Sequence, residues 1–406
     1  MILLKQPFSY VSIPEAWQMM SKANVPLLES EIVSIGRACG RISTRDVVSQ
    51  VSIPRQDVSH YDGYAIRSID TVTTNAAPIT LKVVGRIYPG EQSKLNIRQG
   101  EACYVATGAS LPAGADTVLA VEMAKQISSD LIEVQKRIRP GEHVVAAASD
   151  IKTGDIVIHQ GKTISSRDEI LLAMLNIREI EVLTKPVVAI LAVGDELVGK
   201  VSTHTLLLSR WIEINGGVAS DLGVVADNIS EIRKRLTEVN AHLVVTVGGS
   251  SMGEKDRVAD ALTSYGDIGR VLFHGIKIKP GRVSGMGVID DKPIVMLPGL
   301  IQSTVVGFHI LVLPLLQKMR GLPPTSAWKT VAAKVARTIE FRSFVPFKKV
   351  VFVTLKRTSE GFEAHPILGE SLFFSTIARA DGMILIEEDK TRIEEDEIVE
   401  THLLPS

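Results

Sequence analysis

Apolar and polar positions change their pattern several times along the chain, and each change predicts a different kind of element. Over residues 186–193, 241–247 and 292–297 apolar side chains run almost without interruption. Runs this short, with no polar face, predict strands buried on both sides of a parallel sheet. Helical pieces such as 230–239 lie between them. Strand followed by helix, repeated, predicts a doubly wound α/β domain whose ligand lies beyond the carboxyl ends of the strands. Upstream, residues 80–122 carry short alternating stretches, Leu81-Lys82-Val83-Val84-Gly85 and Thr117-Val118-Leu119-Ala120-Val121-Glu122, separated by Pro89-Gly90 and Pro112-Ala113-Gly114. That pattern predicts a small all-β insert. After Gly321-Leu322-Pro323-Pro324 the chain turns β-rich again through 350–355 and 383–387, which predicts a separate terminal β domain, with solvated acidic edges at 387–389 and 394–397. Near the start, Ser12-Ile13-Pro14-Glu15 has capping-box spacing and predicts a helix from about Pro14 to Ala23. A second helix is expected over 28–38, closed by Gly40. The fold class is therefore multidomain, α/β plus β.

Composition narrows the function classes. At 406 residues the chain exceeds what one core organises, and 45% hydrophobic content supplies material for several. Lys plus Arg total 45 against 46 for Asp plus Glu, so nothing in the net charge of -1 favours nucleic acid or an anionic membrane as partner. Any anion must be held by a local arrangement. Two cysteines, Cys39 and Cys103, fit neither a disulfide framework nor a zinc site, and a reducing cytoplasm is the simplest compartment. Residues 297–317 contain no Lys, Arg, Asp or Glu, but Pro298-Gly299, Gln302, Ser303, Thr304, His309 and Pro314 suit a buried core helix better than hydrocarbon. The opening apolar run, Met1-Ile2-Leu3-Leu4, is too short for a signal peptide.

Candidate chemistry gathers at a few turns. Asp57-Val58-Ser59-His60-Tyr61-Asp62-Gly63-Tyr64-Ala65-Ile66 holds the Asp62 carboxylate in a turn between a His-Tyr pair and a glycine. Gly248-Gly249-Ser250-Ser251-Met252-Gly253-Glu254-Lys255-Asp256 follows a strand and precedes a helix; its glycines let backbone amides crowd an anion, while Asp256 either holds a metal or caps the helix. Lys277-Ile278-Lys279-Pro280-Gly281-Arg282 sets three cations beside a turn, suited to phosphate or simply to solvent. Gly194-Asp195-Glu196 puts two carboxylates after a buried strand, a pairing that suits Mg²⁺ or else a cap and an exposed glutamate. Asp227 ends another strand, and Thr107-Gly108-Ala109 brackets a loop in the insert with Pro112 to Asp116. No Ser-His-Asp or Cys-His signature stands out, so covalent nucleophilic catalysis has no support.

Taken in order, these segments resemble the molybdopterin molybdenumtransferase family, to which the gephyrin E domain belongs. The likeness extends over nearly the whole chain: Ala38-Cys39-Gly40-Arg41-Ile42, the Asp62-Gly63-Tyr64-Ala65 turn, Thr107-Gly108-Ala109 with Pro112 to Asp116 and Glu122, Gly194-Asp195-Glu196-Leu197-Val198, Gly248 to Asp256, Lys279-Pro280-Gly281 and Leu297-Pro298-Gly299. The resemblance implies an elongated subunit of four parts: a linker domain of residues 1–54 and 143–183, an inserted β domain over 55–142, a molybdopterin-binding α/β domain over 184–324 and a C-terminal β domain over 325–406. It implies a homodimer whose active clefts are shared between chains. It also implies insertion of molybdate or tungstate into adenylylated molybdopterin with release of AMP, dependent on a divalent cation, taken as Mg²⁺. Catalytic roles would then fall to Asp62, Thr107, Asp150, Asp227, Asp256 and Lys279. Gly194, Gly248, Gly249, Ser250, Gly253, Gly281, Arg282, Pro298 and Gly299 would bind substrate, and Asp195, Glu196 and Asp256 would hold the metal.

The chain departs from the family pattern at several ligand-facing positions. Val145 stands where an arginine is expected, Val193 replaces a threonine ahead of Gly194-Asp195-Glu196, and Arg282-Val283 replaces Lys-Pro. Leu300-Ile301 follows Pro298-Gly299 in place of Asn-Pro, and the Asp-Ser-Asn segment is barely recognisable at Leu208-Ser209-Arg210. Two functions follow as expectations: an active metal insertase, or a non-catalytic paralogue that binds molybdopterin or serves as a scaffold.

Overall fold

A computed structural model describes residues 10–26, 28–75, 77–92, 94–250, 256–264, 266–341 and 346–405. The first helix, α1 (Ile13–Lys22), begins where the capping box places it: Ser12 Oγ accepts from the Glu15 amide at 3.3 Å, and the Glu15 carboxylate accepts from the Ser12 amide at 2.7 Å. Ile13, Ala16 and Met20 repeat at helical spacing and are buried. The helix expected over 28–38 is not formed. Ser30–Ser34 is a strand and Ile35–Arg37 a single 3₁₀ turn, since adjacent β-branched Ile32 and Val33 favour extended backbone. Gly40 does adopt the left-handed conformation, at φ +77°.

The chain forms two compact units: Val33–Cys39 with Arg45–Ile180, and Met1–Ile32 with Gly40–Thr44 and Glu181–Ser406. The first contains a six-stranded sheet built from β1 (Gly63–Ile66), β2 (Ile79–Ile87), β3 (Glu101–Val105), β4 (Thr117–Ala120), β5 (Ala124–Gln126) and β6 (Leu131–Val134), in spatial order β4-β1-β3-β2-β6-β5. The expected insert is thus present, although its strand at Thr117 ends at Ala120 and Val121–Met123 turns into a 3₁₀ helix. Gly63 opens β1 because of crowding as much as turning: a Cβ there would stand 2.3 Å from the Leu119 carbonyl oxygen of β4.

The second unit is organised by another six-stranded sheet. Its members are β7 (Val187–Val193), β8 (Val218–Val225), β9 (Leu243–Gly248), β10 (Gly269–His274), β12 (Gly285–Ile289) and β13 (Lys292–Leu297), in order β8-β7-β9-β13-β12-β10; β11 (Ile278–Lys279) belongs to the next sheet. The first four strands are mutually parallel. Because β12 is antiparallel to both β13 and β10, β10 also runs in the parallel direction. Val188 and Ile190 face one core while Ala189, Leu191 and Val193 face the other, all fully buried, which is why no polar alternation is seen in β7. Helices α3 (Thr203–Ile214), α4 (Ile229–Glu238) and α5 (Arg257–Thr263) follow strands, as the strand-helix repeat predicts; α2 (Ser166–Met174) lies in the first unit.

The long apolar segment forms α6 (Ile301–Met319), with one π-helical turn over Phe308–Val312. By length and composition it is able to cross a membrane, yet 94% of its apolar window is buried within the protein. The expected core helix accounts for it. Beyond it, β14 (Thr330–Val335), β15 (Lys348–Thr358), β16 (Gly361–Pro366), β17 (Gly382–Ile386) and β18 (Ile398–Leu403) pair in a ring, closed by β15 with β17, and α7 (Phe374–Arg379) lies between β16 and β17. Closure removes the free edges that a small β domain would otherwise expose. The acidic stretches here are partly paired rather than merely solvated, with Glu387 on Lys348 and Glu397 on Lys390.

His309 is buried in α6, its ring stacked on Trp328 with centroids 4.7 Å apart and its Nε2 3.3 Å from His402 Nδ1. Burial first, and the nearby His402 second, push its pKa down from 6.5 to about 3. The folded ring stays neutral while the unfolded chain takes up a proton below about pH 6.5, so this contribution to stability is complete above that pH and is lost as pH falls towards about 3. The urea midpoint is expected to drop between about pH 7 and about pH 4.5, and to drop less in His309→Gln. Equal drops in the two proteins would clear His309 of responsibility.

Candidate functional site at the carboxyl edge of the parallel strands

Five strand ends converge at one edge of the α/β sheet: β7 at Gly194, β8 near Asp227, β9 at Gly248, β13 at Pro298-Gly299 and β10 at His274. The chain leaves β7 for β8 on one side and then takes up β9 on the other, so the topological switch lies between β7 and β9. In open α/β sheets that is where ligands bind.

The floor of this edge is backbone. Gly248 has φ +83° and Gly249 φ +60°, values that L-residues rarely adopt. Space forbids a side chain as well: a Cβ on Gly248 would stand 2.2 Å from the Val193 carbonyl oxygen, and one on Gly249 2.5 Å from Val193 Cγ1. A Cβ on Gly299 would lie 3.6 Å from Gly248 Cα, so the β13 turn closes against the β9 turn. Gly194, φ +155°, is covered by the Glu196 carboxylate, which a Cβ would meet at 2.6 Å.

Carboxylates and cations are distributed unevenly around this floor. Asp195 and Glu196 are exposed in the 3₁₀ turn Asp195–Leu197, and Asp195 Oδ1 accepts from the Asp227 amide at 3.0 Å. Lys279 and Arg282 are also exposed, on either side of Pro280 and of Gly281, whose φ is +110°. Asp256 differs: it is 2% exposed, its Oδ1 accepts from the Ala259 amide at 3.1 Å to cap α5, and its Oδ2 lies 2.9 Å from His274 Nδ1. The seven-residue α5 therefore has its N-terminus occupied by its own cap. His204, also buried, lies by the Gly299 backbone; burial lowers its pKa and the Gly299 backbone partly offsets this.

His274 and its contacts are what sequence reasoning missed. Its Nε2 is 3.1 Å from Ser250 Oγ and 3.1 Å from the Val283 carbonyl oxygen. Ser250, His274 and Asp256 thus stand in the order of a hydrolytic triad, but the Ser250 hydroxyl donates to the Val283 carbonyl at 3.1 Å. A hydroxyl has one hydrogen, so Ser250 is held rather than activated. The available signal was positional: His274 is the last residue of a strand ending at the ligand edge. Gly253 lies outside the described residues.

The first unit carries a second cluster. Asp62 Oδ1 accepts from the Thr107 amide at 2.7 Å and from Thr107 Oγ1 at 2.8 Å. The backbone bond first, and the hydroxyl second, hold this exposed carboxyl below its usual pKa. Gly108, φ +79°, donates its amide to the Ser59 carbonyl at 2.8 Å, tying the Thr107 loop to the strand ahead of the Asp62 turn. Tyr61 packs edge-on between His60 and His143, with centroids 4.5 and 5.0 Å away. Asp150 is exposed after the Val144–Val145 strand, its amide donating to the Ile53 carbonyl at 3.1 Å. Val145 pairs with Val58 in that strand.

Mg²⁺ fits part of this arrangement. No group of three or more His, Cys, Asp or Glu among the described residues is placed to hold a metal. Mg²⁺ is commonly held by one or two carboxylates and completed by phosphate oxygens and water, and Asp195 with Glu196 is a donor set of that kind. A cleft of about 670 Å³ lined by Trp17, Trp328 and His402 shares none of the residues considered at this edge.

Comparison with known proteins gives a consistent picture. Residues 11–175 match the MoeA N-terminal region (domain I and II), residues 189–318 a probable molybdopterin binding domain, and residues 334–404 the MoeA C-terminal region (domain IV). A molybdopterin molybdenumtransferase of Haemophilus influenzae is 29% identical over 91% of this chain and 93% of its own. One from Nostoc sp. is 30% identical over 79% of this chain and 76% of its own. Two solved structures of molybdopterin biosynthesis MoeA proteins from Pyrococcus horikoshii, 29% and 26% identical, superpose with TM-scores of 0.84 and 0.80, each covering 98% of this chain and 100% of theirs. With this order of strands, this glycine floor and these likenesses, the chain belongs to the molybdopterin molybdenumtransferase family.

Proposed function

We propose that this chain works in molybdenum cofactor biosynthesis as a transferase that inserts molybdate, or tungstate, into adenylylated molybdopterin and releases AMP. The observation that carries the reading is the carboxyl edge itself. A glycine floor at the β7/β9 switch is flanked by exposed carboxylates on one turn and exposed cations on another. Bringing an oxyanion beside a phosphorylated pterin sets negative charges against one another at a cost of several kcal/mol, on the order of what an effective dielectric near 20 gives at contact distances. Lys279, Arg282 and the backbone amides of Gly248 and Gly249 offset that repulsion. Gly194, Gly281, Pro298 and Gly299 shape the floor, and Asp227 braces Asp195 through its amide. Asp195 and Glu196 would hold Mg²⁺, which supplies charge neutralisation at phosphate oxygens.

Asp62 and Thr107 form the second element of the proposal. A carboxylate kept ionised by two hydrogen bonds and still exposed is suited to ordering a polar substrate group, and Asp150 adds a further exposed acid. We assign Asp62 to the cleft of a neighbouring copy in a homodimer, with the cytoplasm as its compartment. The alternative, a non-catalytic pterin-binding paralogue, is favoured by one observation: Leu300, 48% exposed, places an apolar side chain directly after Gly299.

Three outcomes check the proposal. With adenylylated molybdopterin, Mg²⁺ and molybdate or tungstate, AMP is expected to appear in step with oxyanion consumption; tight pterin binding with no AMP would leave only the paralogue. Asp62→Ala is expected to lower kcat by about a hundredfold or more while weakening pterin binding much less. Sedimentation at micromolar protein is expected to give a dimer, and a monomer that retains turnover would remove the neighbouring copy from the site.

A further inference from the structure

We infer that His274 is a positioning residue that latches three segments of the carboxyl edge together, and that Asp256 serves this latch and not a metal ion. Four groups meet. His274 Nδ1 faces Asp256 Oδ2 at 2.9 Å, and its Nε2 faces Ser250 Oγ and the Val283 carbonyl, each at 3.1 Å. Ser250 Oγ donates to the same carbonyl at 3.1 Å, closing a triangle. The four belong to different parts of the edge: Ser250 to the glycine turn after β9, Asp256 to the cap of α5, His274 to the end of β10, and Val283 to the turn carrying Lys279 and Arg282. One imidazole thereby fixes the spacing between the backbone amides and the cations expected to share an anion.

Burial decides between the two readings of Asp256. The side chains of Asp256 and His274 are only 4% and 8% exposed. Asp256 Oδ1 is taken by the Ala259 amide, and Oδ2, closed off from solvent and without a hydrogen-bond partner among the described residues, faces the His274 imidazole at 2.9 Å. A hydrated cation that keeps several waters finds no open oxygen on this carboxylate, whereas Asp195 and Glu196 are in the open. Ser250 is likewise committed. Its oxygen and His274 Nε2 share the Val283 carbonyl at 3.1 Å each, an acceptor to which both can only donate, so neither proton transfer to His274 nor serine acylation follows from the geometry.

The kinetic arm of the test rests on the proposed transferase reading, while the exchange arm does not. In the unliganded full chain, His274→Ala and Asp256→Asn are each expected to speed hydrogen exchange at the Gly248–Ser250 amides by about tenfold or more, with β7 amides unchanged. Unchanged exchange at the glycine turn would overturn the latch whether or not the protein turns over. In the AMP-release assay both variants are expected to raise KM for adenylylated molybdopterin by about tenfold, with kcat changed less and the Mg²⁺ dependence unmoved. The double variant is expected to match the single ones, because they remove one contact. If Asp256→Asn alone shifts the Mg²⁺ requirement, Asp256 is a metal ligand and the inference fails. Labelling of Ser250 by a fluorophosphonate probe, lost in Ser250→Ala, would also overturn it. A wild type that releases no AMP but shows the exchange pattern would defeat the transferase reading and leave the latch standing.

Discussion

The contact on which the rest depends is that between the Gly248 backbone and the Val193 carbonyl. β7 and β9 are adjacent parallel strands, and their ends come together only because Gly248 and Gly249 present no side chain to Val193. This closeness brings the backbone of the β9 turn to the switch point of the sheet, and the β13 turn at Gly299 closes against the same glycine. A side chain at Gly248 would push the β9 turn outward. The amides, the Ser250 hydroxyl and the start of α5 would move with it. The glycines therefore set geometry for residues distant in sequence, including Lys279 and Arg282, which are reached through Ser250 and Val283.

The buried helix α6 supports that edge from within. Most of its residues are apolar because they face protein on nearly all sides, and its first turn is anchored by Thr304 Oγ1, which donates to the Pro298 carbonyl at 2.6 Å. Val306 of the same helix lies under Gly281, 3.3 Å from where a Cβ would be. Thus the Pro298-Gly299 turn and the Lys279–Arg282 turn rest on one rigid element. Rigid support of this kind keeps charged groups at fixed spacing without cost at the moment of reaction.

Much of the fold was legible because its periodicities are strong. The β7, β9 and β13 runs are buried on both faces and show no polar alternation, Thr246 and Lys292 being isolated interruptions, and Ser12 with Glu15 marks α1 unambiguously. Residues 28–38 misled because Gly40 resembles a helix stop, while the Ile32-Val33 pair that makes the strand is short. The site was legible where chemistry lies on a turn with glycines, as at Asp62, Gly194 and Gly248. It was not legible where partners meet only in three dimensions. His274 is 24 residues from Ser250, and nothing local couples them. Asp256 illustrates the same limit: its position ahead of a helix allows cap or metal, and burial against His274 is visible only in the fold.

The central claim is that the glycine-floored edge between β7 and β9 is an anion site. A crystal structure of the protein soaked with AMP and tungstate tests it most directly, since tungsten is located by its anomalous signal. Phosphate or tungstate density is expected within hydrogen-bonding distance of the Gly248 and Gly249 amides, with Lys279 or Arg282 turned towards it. Density elsewhere, with this edge holding water alone, would contradict it.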